Sequence, residues 1–165
     1  MSATPRLSLP LLSAGQAQKE IFHNEALQSL DSLVEGTVEQ LPAPAPPASP
    51  ALGACYIVAD SPTDAWAGMP QCVAAWTSGG WRFTQPFEGI TFYVSSVGNW
   101  AIYRGAMWEI GMLRGDALII GGQQVVGPRA AAIASASGGT TVDTEARAVL
   151  NQVLGAMRLH GLIET

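Results

Sequence analysis

The sequence predicts a mainly β protein with flanking helices, and three patterns indicate this fold class. Short β runs separated by glycine-containing turns fill residues 52–127. Apolar residues recur at helical spacing before Gly36 and again after Thr141. We therefore expect four segments: an N-terminal leader and attachment helix (1–41), a proline-rich spacer (42–51), a small antiparallel β domain (52–127), and a loop with a C-terminal oligomerisation helix (128–165).

The first segment is predicted to contain one amphipathic helix. Pro5 and Pro10 oppose regular structure in the leader, and Ser13 and Gln16 have the spacing of a capping box. Gly36 is expected to end the helix. One face is apolar (Ile21, Ala26, Leu30, Leu33 and Val34) and the other is rich in charges and amides (Gln16, Lys19, Glu20, Asn24, Gln28, Asp31 and Glu35). Residues 1–35 are therefore expected to attach the chain to another protein, unless the apolar face packs on the chain's own β domain.

Five prolines among residues 42–50 predict a semi-rigid, extended spacer. Such a spacer separates the N-terminal helix from the β domain, although it can still lie across the surface of that domain. A chain that starts near Ala51 is then expected to fold without the preceding residues.

Three hairpins are predicted in the β domain. In the first two, a glycine-bearing turn lies between two aromatic residues, Trp76 with Trp81 and Tyr103 with Trp108. These aromatics are expected to pair across neighbouring strands. The third hairpin, residues 118–126, turns at Gly121-Gly122, and its strands are so apolar that they need partners.

The last helix has the apolar seam of a heptad repeat, in which residues alternate steps of four and three (Ala146, Leu150, Val153, Met157 and His160). Thr141 or Asp143 can cap its start, and Gly161 is placed for a left-handed residue after its end. Roughly four turns are too few for stability alone in water, so the helix either packs on its own domain or associates with identical chains. We favour a homo-oligomer, with a trimer as the preferred order.

Composition limits the partners. The chain is 48% hydrophobic and only 13% charged, with a mean hydropathy of +0.21. No apolar run approaches the ~18–20 residues of a membrane span, so the apolar surface indicates a subunit interface. The net charge of −5 and the single lysine, Lys19, exclude a nucleic-acid-binding face. The first residues lack the basic-then-apolar order of a secretory signal, which favours assembly in the cytoplasm and release by lysis.

The sequence predicts no enzyme, cofactor or metal site. His23 and His160 are read as surface or packing residues, and no nucleophile, zinc-binding or phosphate-binding motif is present. Cys55 and Cys72 are most simply buried thiols, with a disulfide as the alternative. Four acids could in principle include a pair that flanks a sugar, but solvated turn positions explain them better (Asp60, Asp64, Glu88 and Glu109).

Five tryptophans in a small β domain have two interpretations. Buried, they form the core of a sheet that is poor in Leu and Ile. Exposed, they form a platform on which sugar rings stack, with four candidates (Trp66, Trp81, Trp100 and Trp108). A glycan-binding module is therefore the alternative function.

Several motifs together resemble a known family. The N-terminal ones are Leu7-Ser8-Leu9-Pro10, residues 14–19, His23-Asn24-Glu25-Ala26-Leu27 and Leu30-Asp31; the later ones are residues 50–53, Tyr56-Ile57-Val58, Trp66-Ala67-Gly68, Ala75-Trp76, Gly80-Trp81, Phe83, Pro86 and Glu88-Gly89. Over residues 5–110 they resemble an uncharacterised domain family of structural proteins in alphaproteobacterial tailed phages and gene transfer agents. Residues 124–129 and the helix over residues 146–163 resemble the C-terminal piece of many such fibre or spike proteins.

The resemblance implies a virion component and brings no catalytic residues with it. We expect a spike, fibre or fibre base that takes part in attachment to the host cell surface. Its partners would be identical chains, head or tail proteins contacted through residues 1–35, and host surface polysaccharide.

Overall fold

A computed structural model describes residues 3–13, 15, 19–34, 36–141 and 143–164. Its elements are α1 (Lys19–Leu33), β1 (Thr37–Val38), β2 (Cys55–Ile57), a short 3-10 helix (Asp64–Trp66), β3 (Val73–Thr77), β4 (Gly80–Thr84), β5 (Thr91–Val94), β6 (Asn99–Arg104), β7 (Met107–Ile110), β8 (Leu118–Ile120), β9 (Gln123–Val126) and α2 (Thr144–Leu159). The prediction of a mainly β protein with an N-terminal and a C-terminal helix is confirmed. Gln16 of the predicted capping box and Glu35 of the polar face lie outside the described residues.

The chain divides into two compact units, residues 1–112 and 113–165. This division differs from the predicted boundaries. Helix α1 and the proline-rich segment group with β1–β7 in the first unit, whereas the third predicted hairpin groups with α2 in the second.

Two sheets form the first unit. One has the strand order β1-β5-β6-β7 and the other β2-β3-β4. Neighbouring strands are antiparallel, except that β1 runs parallel to β5. Both predicted aromatic pairs are confirmed: Trp76 lies opposite Trp81 with ring centroids 4.9 Å apart, and Tyr103 lies opposite Trp108 with centroids 5.3 Å apart.

The main core is formed by both sheets. Alternate residues of β5 point inward, because Phe92 and Val94 are buried while Thr91 and Tyr93 are exposed. The core also contains residues of β1, β2, β3 and β6, and its buried members are Val38, Cys55, Ile57, Val73, Ala75, Ile90, Phe92, Val94 and Ala101. Gly36 contacts the ring of Phe92 so closely that no side chain fits there. This packing gives a physical reason for the glycine that follows α1.

The proline-rich segment pairs with the β2 edge of the β2-β3-β4 sheet, and the 3-10 helix packs on the other face of that sheet. Ala43 is buried, its N–H donates to the Ile57 carbonyl (2.9 Å), and its carbonyl accepts from the Ala59 N–H (2.9 Å). Ala43, Val58, Trp66 and Ala74 form a second buried cluster. The proline-rich segment is therefore part of the β fold and does not separate α1 from it. We therefore expect that a chain starting near Ala51 does not fold, because such a chain lacks Val38 and Ala43.

The second unit contains the β8-β9 hairpin and α2. The hairpin turns at Gly121 and Gly122, whose φ angles of 58° and 78° suit the predicted two-glycine turn. The Asp143 side chain caps α2 by accepting from the Ala146 N–H (2.8 Å), and Gly161 follows the helix with φ of 70°. Both predicted end signals are thus confirmed. Among the described residues of this unit, only Ile163 is buried.

Candidate interaction surfaces

The first candidate surface is an apolar stripe on α1. Phe22, Ala26 and Leu30 recur every four residues and therefore share one side of the helix. All three are exposed, and Phe22 is exposed to 80%. We call these three residues the α1 stripe. Of the predicted apolar face, Ile21, Ala26, Leu30 and Val34 are exposed, and Leu33 packs against the core.

The polar side of α1 binds the chain's own leader. Asp31 is 2% exposed and its carboxylate accepts from the Thr4 hydroxyl (2.7 Å) and from the backbone N–H groups of Arg6 (3.0 Å) and Leu7 (2.6 Å). The Arg6 guanidinium donates to the carbonyls of Asp31 (3.0 Å) and Ser32 (3.1 Å), near the end of the helix where carbonyls lack helical partners. The leader is therefore fixed to the helix.

A second set of hydrogen bonds fixes the leader nearer the start of α1, and we call these bonds together with those of Asp31 and Arg6 the clasp. The Asn24 side chain accepts from the Leu12 N–H (2.9 Å) and donates to the Leu12 carbonyl (3.0 Å). Asn24 and Asp31 lie opposite the α1 stripe when placed on a helix with 100° per residue. Hydrogen-bonding groups expected to face another protein are thus used within the chain, and the apolar side is the one left exposed.

An ion pair ties α1 to the β2-β3-β4 sheet. The Arg82 guanidinium contacts the Glu25 carboxylate at 2.9 Å, with both side chains well exposed. The hydrogen bonds from Arg82 hold the pKa of Glu25 below its ordinary value. Exposed ion pairs contribute only ~0–1 kcal/mol to the free energy of folding, so this pair helps to orient α1 but adds little stability.

The second candidate surface is the predicted seam of α2, which we call the α2 seam (Ala146, Leu150, Val153, Met157 and His160). No residue of α2 is buried among those described, and Leu150 and Val153 are each about half exposed. Helix α2 is held within its unit by polar contacts, in which Arg147 donates to the Gly138 carbonyl and Arg158 to the Ile133 carbonyl. Leu150 and Val153 of the α2 seam are therefore left largely uncovered, whereas Met157 is partly buried.

The four candidate platform tryptophans lie in different environments. Trp66 is fully buried, with the rings of Tyr56 and Trp81 at 5.6 Å and 5.1 Å, so it cannot present a face to a sugar. This corrects its inclusion in the platform: the 3-10 helix that carries it covers the sheet. Trp81 is partly buried in the same aromatic group.

Trp108 is also mostly engaged inside the fold. Its indole N–H donates to the Gln71 carbonyl (3.0 Å), and its ring packs against Phe92 at 5.8 Å. It lines a cleft of about 190 Å³ together with Asp60 and Gln71. This volume is below the ~300 Å³ at which small-molecule pockets begin.

Trp100 is the one candidate of the four with a largely exposed ring. It is 55% exposed and lies directly opposite Tyr93 on the outer face of the β1-β5-β6-β7 sheet. The two ring centroids are 5.5 Å apart, and Tyr93 is 37% exposed. Tyr93 is absent from the predicted platform residues, although its position between the inward-facing Phe92 and Val94 is a signal that it points outward. We refer to these residues as the Tyr93–Trp100 pair.

Each of the four acids considered for catalysis has a neighbouring partner. Asp60 accepts from Gln71 (2.8 Å), Asp64 from Thr63 (3.1 Å), Glu88 from the Gly105 N–H (3.0 Å), and Glu109 pairs with Arg104 (3.2 Å). These contacts fix turns and strand pairs. In the described part of the chain, the His, Cys, Asp and Glu side chains form no cluster of three or more that could hold a metal ion.

Both cysteines are free and buried, as the simpler of the two sequence interpretations predicted. Removal from water raises the pKa of the Cys55 thiol to about 11 and also raises the pKa of Cys72. A buried thiol with such a pKa is inert near neutral pH, since only the thiolate is nucleophilic. His23 is exposed on α1, and His160 is the exposed C-terminal cap residue of α2.

A family model described as "Protein of unknown function (DUF2793)" matches residues 23–109, which is more than half of the chain. The chain belongs to this family. The matched DUF2793 region begins in α1 and ends in β7, so it contains the Tyr93–Trp100 pair and most of α1, whereas β8, β9 and α2 follow it. No curated protein matches the chain. Neither helix of the described chain has the length and apolar content needed to cross a membrane.

Proposed function

We propose that this chain is a non-enzymatic structural component of a phage-like particle or gene transfer agent, namely a spike, fibre or fibre base that helps attach the particle to the host cell surface. It assembles with identical chains, with a trimer as the favoured order, in the bacterial cytoplasm and leaves by lysis. The particle assignment rests on the family resemblance of the motifs over residues 5–110. The observation that carries the structural role is that α2 leaves Leu150 and Val153, two apolar residues of its seam, about half exposed.

The α1 stripe supports attachment through residues 1–35. An exposed phenylalanine and leucine at helical spacing, on a helix fixed from behind by Asp31 and Asn24, have the form of a helix that docks into an apolar groove. The clasp holds the helix in place, so little ordering free energy is lost on binding. The head or tail protein of the particle supplies the groove.

Attachment is tested by replacing Phe22 and Leu30 with Gln, which keeps helix propensity and removes the apolar side chains. Burial of two such side chains is worth about 3 kcal/mol, so we expect roughly 100-fold weaker docking and loss of the chain from purified particles. The matched control is Ile21→Gln, because Ile21 is also about half exposed but, at 100° per residue, lies away from the α1 stripe and not with Ala26 and Leu30 as predicted. The measurement is copy number per particle by quantitative mass spectrometry. Normal copy number for the double variant would contradict attachment through α1.

The Tyr93–Trp100 pair favours glycan binding as a second candidate function. A flat indole face on an outward-facing sheet matches the apolar face of a pyranose ring. Arg104 lies four residues farther along β6 and therefore shares the face of Trp100, and it forms an ion pair with Glu109 at 3.2 Å. The two functions are compatible, since a spike that binds surface polysaccharide is an attachment protein.

Glycan binding is tested by titrating the protein with capsular polysaccharide of the host while tryptophan emission is recorded. All five tryptophans lie in residues 1–112, so the signal reports on the first unit. If Trp100 stacks on a sugar, Trp100→Ala should remove about 1.5 kcal/mol, which is roughly a tenfold weaker Kd. The control is Trp76→Phe, which alters a partly buried ring in the other sheet. Equal affinities for Trp100→Ala and the unmodified chain would exclude this platform.

A further inference from the structure

The β8-β9 hairpin exposes apolar side chains on both of its faces. Five large apolar residues are each between 43% and 63% exposed (Leu118, Ile119, Ile120, Val125 and Val126). Successive side chains of a strand point to opposite faces, so Ile119 lies on one face and Leu118 and Ile120 on the other. The uninterrupted apolar run of β8 is typical of strands that are covered on both faces.

The described hairpin has two strands only, paired from Leu118 to Val126, with an irregularity between Leu118 and Ile119. An isolated two-stranded hairpin is marginally stable in water. Its outer backbone edges are also open to another strand. Stability therefore requires a covering surface.

Charge indicates what covers it. Residues 113–165 contain four arginines (Arg114, Arg129, Arg147 and Arg158) and four acids (Asp116, Asp143, Glu145 and Glu164), so this unit is formally neutral. The whole formal charge of −5 lies in residues 1–112. Two neutral units approach each other without net repulsion, whereas a strongly acidic or basic partner would find no complementary charge here. A second copy of the same unit fits this surface.

The available area is sufficient for such an interface. Twelve large apolar side chains of the second unit are exposed: Leu113, Leu118, Ile119, Ile120, Val125, Val126, Ile133, Val149, Leu150, Val153, Leu159 and Leu162. Together they offer on the order of 1,000 Å², and a standard interface buries about 800 Å² per partner. The α2 seam supplies only two of the twelve, Leu150 and Val153, so the seam alone does not account for this surface.

We propose that the β8-β9 hairpins of separate copies pack against one another and form, beside the α2 seam, a second part of the self-association interface. This inference rests on the self-assembly in the proposed function. It adds an element that the heptad pattern does not contain, and it names identical chains as the occupants of the hairpin faces.

The first test replaces Ile119 and Ile120 with Thr, which keeps a β-branched side chain and removes apolar surface. The control replaces their cross-strand partners, Gln124 and Gln123, with Thr in the same way. Self-association is measured by sedimentation equilibrium of the full chain. We expect at least roughly tenfold weaker association for Ile119→Thr with Ile120→Thr, and a change within about threefold for the glutamine control.

The second test shows whether hairpins of separate copies lie close together, even if the threonine variant does not form its hairpin. In Gln124→Cys, the hairpin carries the only accessible thiol, because Cys55 and Cys72 are buried. A short bis-maleimide should then join copies of Gln124→Cys efficiently. It should join far fewer copies of Val97→Cys, in which the thiol lies on the exposed turn after β5.

The outcomes separate the two proposals. If the unmodified chain is oligomeric, the threonine variant associates normally and Gln124→Cys fails to cross-link, the hairpin inference is overturned while self-assembly through α2 stands. If the unmodified chain is monomeric at about 100 μM, self-assembly and the hairpin inference fail together. Cross-linking of Gln124→Cys with weaker association of the threonine variant supports the hairpin interface.

Discussion

A chain that begins at residue 51 is expected not to fold the two sheets of the first unit, whereas a chain that begins at residue 36 is expected to fold them. The shorter chain lacks Val38 and Ala43, which are 0% and 1% exposed, and it lacks β1, which pairs with β5. Loss of this burial and the resulting cavity costs about 5 kcal/mol or more, comparable to the entire stability of a small domain.

The longer chain keeps these residues. It loses α1, the leader, the partial packing of Leu33 and the Glu25–Arg82 ion pair, so its melting temperature should fall while its unfolding stays cooperative. Thermal unfolding is followed by circular dichroism and by tryptophan emission, which reports on the first unit alone. Cooperative unfolding of the chain that begins at residue 51 would show that the proline-rich segment is a spacer after all.

Local patterns were sufficient to predict the three hairpins. Trp76 and Trp81 are close in sequence, and their turn is set by the residues between them. The same holds for Tyr103 with Trp108, and for the two glycines between β8 and β9. Turn chemistry and cross-strand pairing act within about ten residues, so a short window contains all the information needed.

Pairings between distant segments could not be predicted in this way. Strand β1 has only two residues and pairs with β5 more than fifty residues later, so no periodic pattern marks it. Ala43 enters the fold through backbone hydrogen bonds, which leave no trace in the side-chain sequence. These long-range contacts make the predicted spacer part of the fold and place Ala43 in the same buried cluster as Trp66.

In the candidate surfaces, too, local patterns could be predicted from the sequence and long-range contacts could not. Heptad spacing identified Leu150 and Val153, and the structure leaves both exposed. Composition alone could not rank the tryptophans, because burial of Trp66 and exposure of Trp100 depend on which sheet face is covered. The sequence could not show which side of α1 is covered. Asp31 is buried because it accepts hydrogen bonds from leader residues that lie more than twenty residues earlier in the chain.

Replacing Leu150 and Val153 with Asp is expected to convert the oligomer to monomers. If the α2 seam is an interface, each new carboxylate is buried without a partner, which costs about 3–5 kcal/mol per charge and raises Kd by more than about 100-fold. The helix itself should persist, because Asp costs only ~0.5 kcal/mol relative to Ala in an exposed helix. Sedimentation equilibrium of the full chain measures the association, and circular dichroism verifies the helix content.

The matched control adds the same two charges to the opposite side of α2. Ala148 and Asn151 are exposed and lie away from the α2 seam on a helix with 100° per residue. Ala148→Asp with Asn151→Asp changes the net charge equally, so any general repulsion between more acidic chains affects both variants alike. Selective dissociation of the Leu150 and Val153 variant therefore assigns the interface to the seam. Equal association of the two variants would mean that α2 packs elsewhere, and self-assembly would then have to rest on the β8-β9 hairpin.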